Sequence, residues 1–190
     1  RCEGEKEQSV LRVKFSRTCA PVVIEGRNEL PGKSNYLIGT DPAKWHKRIP
    51  NFARVLYHEL YPGIDLVFYS NRAGQLEFDV IAAPGADYRQ VQLDFEGAAS
   101  VAADIDGSLR ITMPDGRAIV QQRPSVRQDI DGEARAVDGF YVQRGTTNSF
   151  SIGVGPYDAS RPLVIDPVII YSTFLGADAW DDIRDIAVDA

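Results

Sequence analysis

The sequence predicts an all-β protein, a β-sandwich-like or related two-layer antiparallel fold, on three observations. Apolar and polar residues alternate with period two along short runs from Leu11 to Val154, the pattern of strands with one buried face. Turn-forming stretches separate these runs: "APGAD" (83–87), "DIDG" (104–107 and 129–132), "MPDG" (113–116) and "RGTTN" (144–148). Spacers of this kind between short strands mark sandwiches and closed sheets. Helical spacing, finally, is scarce. Its best instance is the last segment, "DAWDDIRDIAVDA", where Trp180, Ile183 and Ile186 are so spaced, and Ile183, Ile186 and Val188 equally suit a strand.

The first strand falls in "LRVKF", with Leu11, Val13 and Phe15 set against Arg12 and Lys14. Pro31–Pro50 departs from the alternation. It holds a short apolar run, Tyr36-Leu37-Ile38, then a basic stretch carrying Trp45 and His46, and reads as a long loop. Trp45 is expected to pack on the sheet while the lysines are solvated, because burial in the core is the default use of tryptophan. Next comes "YHELYPGIDLVFY" (57–69). Pro62 suits the first corner of a β-turn and Gly63 tolerates positive φ at the second. Ile64–Tyr69 is then a strand by its β-branched and aromatic content. In "QLEFDVIA" Leu76, Phe78 and Val80 point one way and Glu77 and Asp79 the other, so this run pairs with the previous one as a hairpin across a 70–74 loop. "VQLDFEG" opposes Val91, Leu93 and Phe95 to Gln92, Asp94 and Glu96, and "SLRITM" and "SFSIGVG" repeat the pattern.

His58-Glu59 opens a zinc-protease signature, in which two histidines one helical turn apart hold the metal and the glutamate acts as general base. The second histidine would fall at 62, where Pro62-Gly63 breaks a helix and makes a turn. His58 therefore reads as a strand or surface residue. Each "DIDG" places two aspartates before a glycine, the opening of many calcium loops. Each is also followed at once by a new strand-like run, and Asp-Gly is a common hairpin turn, so turns are expected. The expected site is accordingly empty of catalytic, cofactor-binding and metal-ligating residues. No nucleophile elbow, phosphate loop or dinucleotide turn is present. Asp65, Glu77, Asp79, Asp94 and Glu96 all fall on strands. A glycosidase needs two such carboxylates facing each other across a cleft, and the ordinary place for strand carboxylates is a solvated outer face.

The chain has 190 residues and a net charge of −6, with 44% hydrophobic residues, enough for a real core. Charge is uneven: residues 1–60 hold 11 Lys/Arg against 7 Asp/Glu, and residues 61–190 hold 10 against 20. That balance argues against nucleic-acid binding, which needs a basic face, while the basic first third is suited to docking on something acidic, including the acidic remainder of its own chain. No apolar run approaches a membrane span; "RPLVIDPVIIY" is interrupted by Asp166 and Pro167. Cys2 and Cys19 are the only cysteines. In an exported protein they are expected to form a disulfide; two free thiols are the alternative.

Three blocks carry a resemblance: "LPGKSNYLIGTDPAKW", "YPGIDLVFYSNRAGQLEFDVIAAPGAD" and "RPLVIDPVIIYSTFLGA". Taken in this order they resemble the N-terminal region of bacterial SBBP-repeat proteins, secreted or surface proteins in which a β-rich leader domain precedes β-propeller repeats. The resemblance implies a β-rich domain over 1–170 and the start of a truncated first repeat over 171–190, with Gly176-Ala177 where that family usually has two glycines. It implies an extracellular location and, as partners, the downstream repeats and a surface glycan or protein ligand. It supplies no catalytic residue. The expected function is thus a non-catalytic structural or binding domain, for surface interaction or adhesion, without cofactor. The alternative is a carbohydrate-active or other hydrolase that uses strand-borne carboxylates.

Overall fold

A computed structural model describes residues 10–19, 21–70, 76–145, 148–167 and 169–170. Of these, 61% are strand and 4% helix, in antiparallel sheets that do not close into a barrel, so the chain is an all-β, sandwich-like domain. Segment 171–190, Cys2 and the 71–74 part of the expected hairpin loop lie outside the described residues.

The strands are β1 (Arg12–Phe15), β2 (Val23–Tyr36), β3 (His46–Tyr61), β4 (Ile64–Ser70), β5 (Leu76–Ala82), β6 (Gln92–Glu96), β7 (Ser100–Ala103) and β8 (Leu109–Thr112), then β9 (Ala118–Gln121), β10 (Ser125–Ile130), β11 (Glu133–Val137), β12 (Gly139–Gln143), β13 (Ser149–Val154), β14 (Leu163–Asp166) and β15 (Ile169–Ile170). They form three sheets. One has four strands in the order β1-β6-β13-β12; the largest has seven, β11-β10-β14-β5-β4-β3-β2; the third runs β15-β9-β8-β7.

A single apolar core joins them. It takes Phe15, Leu93, Phe95, Phe150 and Ile152 from the first sheet, Ile64, Leu66, Phe68, Phe78 and Val80 from the second, and Leu109 and Ile111 from the third. Phe15 stands edge-on to Phe78 at 5.2 Å and to Phe68 at 6.3 Å, so β1 is locked to the seven-stranded sheet by aromatic contacts. The expected alternation in β6 and β8 is present: Leu93, Phe95, Leu109 and Ile111 are buried while Glu96 and Arg110 are exposed. Strand β13 departs from it, because Ser149 and Ser151 are buried as well. It lies between β6 and β12, and both serines are held in side-chain hydrogen bonds, Ser149 to Asp94 and Ser151 as acceptor from Arg144.

The turns follow their chemistry. Pro62-Gly63 links β3 to β4 with Gly63 at φ 70°, as the sequence predicts. A β-carbon there would lie 3.1 Å from that of Ala86. Gly63→Val is expected to lower stability by about 1–2 kcal/mol through the left-handed backbone alone, read as a shift in the urea midpoint at unchanged slope. The two "DIDG" copies turn differently. Asp131 (φ 55°) and Gly132 (φ 87°) make the two-residue turn between the paired Ile130 and Glu133, the primed type that suits strand twist. In the other copy the Gly107 N–H donates to the Asp104 carbonyl, and the Asp106 carboxylate accepts from the Ser108 N–H and hydroxyl. "MPDG" repeats this second arrangement, Gly116 donating to Met113 and Asp115 accepting from the Arg117 N–H.

Pro31–Pro50 is a correction. It is not a long loop but the outer part of a β2–β3 ribbon, closed by a one-turn 3-10 helix at Pro42–Lys44. Prolines are tolerated because the ribbon has no further strand to receive an N–H: Pro31 lies in the register shift between Glu29 and Lys33, and Pro50 stands opposite Lys33. Trp45 does not reach the sheet's core. It is half-buried within the ribbon, donating Nε1–H to the Gly39 carbonyl at 3.1 Å, with the Lys47 ammonium 4.9 Å from its ring.

Candidate functional site

The core-facing parity of β4 and β5 fixes what their other faces carry. Ile64, Leu66 and Phe68 face the core, so Asp65, Val67 and Tyr69 face outward, and the register sets Ile81, Asp79 and Glu77 opposite them. On β14, Val164 is paired with both Ile81 and Arg127 on this outer face. One step beyond the Val80–Ile165 pair, Asp166 comes alongside Asp79. The outer face of the seven-stranded sheet therefore gathers Glu77, Asp79, Asp166, Tyr69 and Arg127.

These carboxylates are not the solvated set the alternation suggests. Asp79 is 7% exposed; it accepts the Tyr69 hydroxyl at 2.9 Å and has the Arg127 guanidinium 3.9 Å away. Arg54 lies over the Tyr69 ring at 5.1 Å. Burial, then the hydrogen bond to Asp79, push the Tyr69 hydroxyl well above the usual phenol range, because both favour its protonated form. One oxygen of Asp166 is buried without a hydrogen-bond partner. Burial first, then repulsion from Asp79 and Glu77, push its carboxyl up to about 6, against a smaller pull from Arg127. A carboxyl raised in this way by burial and like charge is the kind of group that general acid–base chemistry uses.

Asp94 is likewise drawn into the structure. Its carboxylate accepts from the Ser16 and Ser149 hydroxyls and from Gln92 Nε2 at 3.1 Å, tying β1, β6 and β13 together. Burial raises its pKa, and the three hydrogen bonds outweigh that, leaving it below the usual carboxylate range. Asp65 accepts the Glu59 N–H at 2.8 Å, and Glu96 pairs on the surface with Arg12 and Lys14.

His58 and Glu59 lie in β3 at its irregular end, where Glu59 adopts φ 47° and the register with β4 shifts. They line a surface depression with Gly63, Asp65, Ile81 and Pro162, apart from the Asp79–Asp166 pair. His58 Nε2 is 2.9 Å from Glu25 on β2, and that hydrogen bond, with Arg27 beside it, holds the Glu25 carboxyl low. No group of three His, Cys, Asp or Glu suited to a metal occurs among the described residues. Since the His58–Glu25 contact is partly exposed, His58→Ala is expected to change stability by less than about 1 kcal/mol, with zinc content by elemental analysis the same before and after. Stoichiometric zinc lost on substitution would return His58 to a metal site.

The second candidate is the β2–β3 ribbon. Strand β4 pairs with β3 only as far as Arg54, whereas β2 stays paired with β3 to Tyr36 and His46. Leu30, Tyr36, Leu37, Ile38 and Phe52 are all exposed on it or at its tip. Alternation missed both candidates, yet each left a trace: an acid at 166 inside an apolar run, and apolar and basic residues together between two prolines. Cys19 is exposed, with its N–H donated to the Leu60 carbonyl. No helix among the described residues is long and apolar enough to cross a membrane.

A family model described as "Domain of unknown function (DUF7948)" matches residues 3–168. No curated protein and no solved structure matches the chain.

Proposed function

The chain belongs to the DUF7948 family of domains of unknown function, and we propose that it serves as a non-catalytic structural or binding domain. Its setting is an extracellular bacterial protein in which it leads into β-propeller repeats, and its task is surface interaction or adhesion. The observation that carries this reading is the projecting β2–β3 ribbon, which exposes large apolar side chains beside cations instead of burying them. Exposed apolar patches rimmed by polar groups mark interaction sites. The setting rests on the likeness of the three sequence blocks to SBBP-repeat leaders, an analogy of architecture. The ligand class is a surface glycan or protein, and the partner in the same chain is the repeat array.

A second reading, a carbohydrate-active or other hydrolase, is favoured by one observation, the Asp79–Asp166 pair with its unlike surroundings. A panel of glycans and peptides, scored for both binding and turnover, separates the two. Binding without turnover, weakened by Tyr36→Ala and Phe52→Ala in the ribbon, supports the binding domain. Turnover abolished by Asp79→Asn or Asp166→Asn overturns it in favour of the hydrolase.

A further inference from the structure

The ribbon's reach and the chemistry of its tip point to one kind of surface. Eight residues of β3, His46–Ala53, extend beyond the last pair with β4, a reach of about 25 Å at roughly 3.3 Å per residue. At the far end Leu37 is 54% and Ile38 77% exposed. Lys44, Lys47 and Arg48 are exposed beside them, with no ion pair among the described residues. Asp41 is the one acid in segment 37–48, and its carboxylate accepts the Ala43 N–H. Trp45 is fixed between the two groups by its bond to Gly39 and the Lys47 ammonium.

We propose that this tip docks on an anionic lipid surface, with Leu37 and Ile38 entering the headgroup boundary and Lys44, Lys47 and Arg48 facing lipid phosphates. The assignment rests on the binding-domain reading and gives the ribbon tip a lipid surface in place of a glycan or protein. Three features favour lipid. Two adjacent aliphatic side chains on a convex tip offer far less than the roughly 800 Å² per partner of a stable protein interface, whereas insertion into an interface needs no complementary surface. A soluble polyanion would engage the cations and leave Leu37 and Ile38 in water; a bilayer takes both, and tryptophan beside them suits the same depth. The remainder of the chain is acidic, and an anionic membrane repels it. The ribbon holds it off by about 25 Å, several times the screening length of roughly 8 Å at physiological ionic strength.

The test is co-sedimentation of the 190-residue chain with vesicles of phosphatidylcholine, alone or mixed with phosphatidylglycerol. Binding is expected on the mixed vesicles only, and weaker in high salt. Each cation near an anionic surface contributes roughly fivefold in partitioning, so Lys44→Gln with Lys47→Gln should weaken binding about twenty-five-fold. Leu37→Glu with Ile38→Glu should abolish it. These positions are exposed, and unchanged circular dichroism confirms that each variant folds. Absence of binding to mixed vesicles, or equal binding by both double variants, overturns the lipid assignment. A chain that ignores both vesicle types yet captures a glycan or peptide through the ribbon loses the lipid assignment and keeps its binding role. Failure with vesicles and with the whole panel overturns both.

Discussion

Phe68→Ala is expected to lower the free energy of unfolding by about 3–5 kcal/mol, the cost of a large cavity in a packed core. Phe68 is 8% exposed and sits at the meeting of four rings: edge-on to Phe15 at 6.3 Å and to Tyr57 at 5.4 Å, and tilted against Phe78 at 5.8 Å. Those partners come from β1, β3 and β5, so truncation loosens the contact between two sheets as well as emptying a site. A loss of this size is a large part of the total stability of an ordinary domain. Urea unfolding followed by tryptophan fluorescence measures it, and a cost below about 1 kcal/mol would place Phe68 outside the core.

Asp166→Asn is expected to act in the opposite direction, stabilising the protein at pH 7 by about 0.5–2 kcal/mol once the shift is discounted for the partial exposure of the group. In the folded chain this carboxyl is pushed up to about 6 by burial and by the charges of Asp79 and Glu77, whereas in the unfolded chain it titrates near 4. The folded state therefore holds the proton to higher pH. Stability falls as pH rises from about 4 to about 6, and above that the loss is complete. Asparagine removes the charge, keeps the shape, and can donate to the Asp79 carboxylate. The gain over the parent should be absent below pH 4, grow through pH 5, and be level above pH 6. A gain independent of pH, or a destabilised variant at pH 7, would show that Asp166 is not strained by its neighbours.

The two sites differ in how far the sequence reveals them. Strand β4 was legible because its turn, its β-branched content and its partner run all agree, and local features dictate each of these. That Val67, on the outer face, is 8% exposed does not follow from these local features, since a strand's position within a sheet is set by distant partners. Asp79 shows the limit more sharply. Alternation places it on the outer face correctly, but its burial comes from Tyr69 on the adjacent strand and Arg127 on another two strands away, pairings separated by ten to nearly fifty residues in the chain. The ribbon differs from the long loop the sequence predicts for a related reason. Pro31 and Pro50 speak against a central strand, and the sequence alone does not show that a two-stranded extension with no outer neighbour accommodates them both.

Hydroxyl-radical footprinting of the chain on bacterial cell envelopes tests most directly whether the ribbon, rather than the carboxylate face, makes the contact. Protection is expected at Tyr36, Leu37, Ile38 and Trp45, with Tyr69 and Ile81 as reactive as in the free protein. Protection of Tyr69 and Ile81 with a fully reactive tip would contradict the binding role of the ribbon and move the functional surface to Asp79 and Asp166.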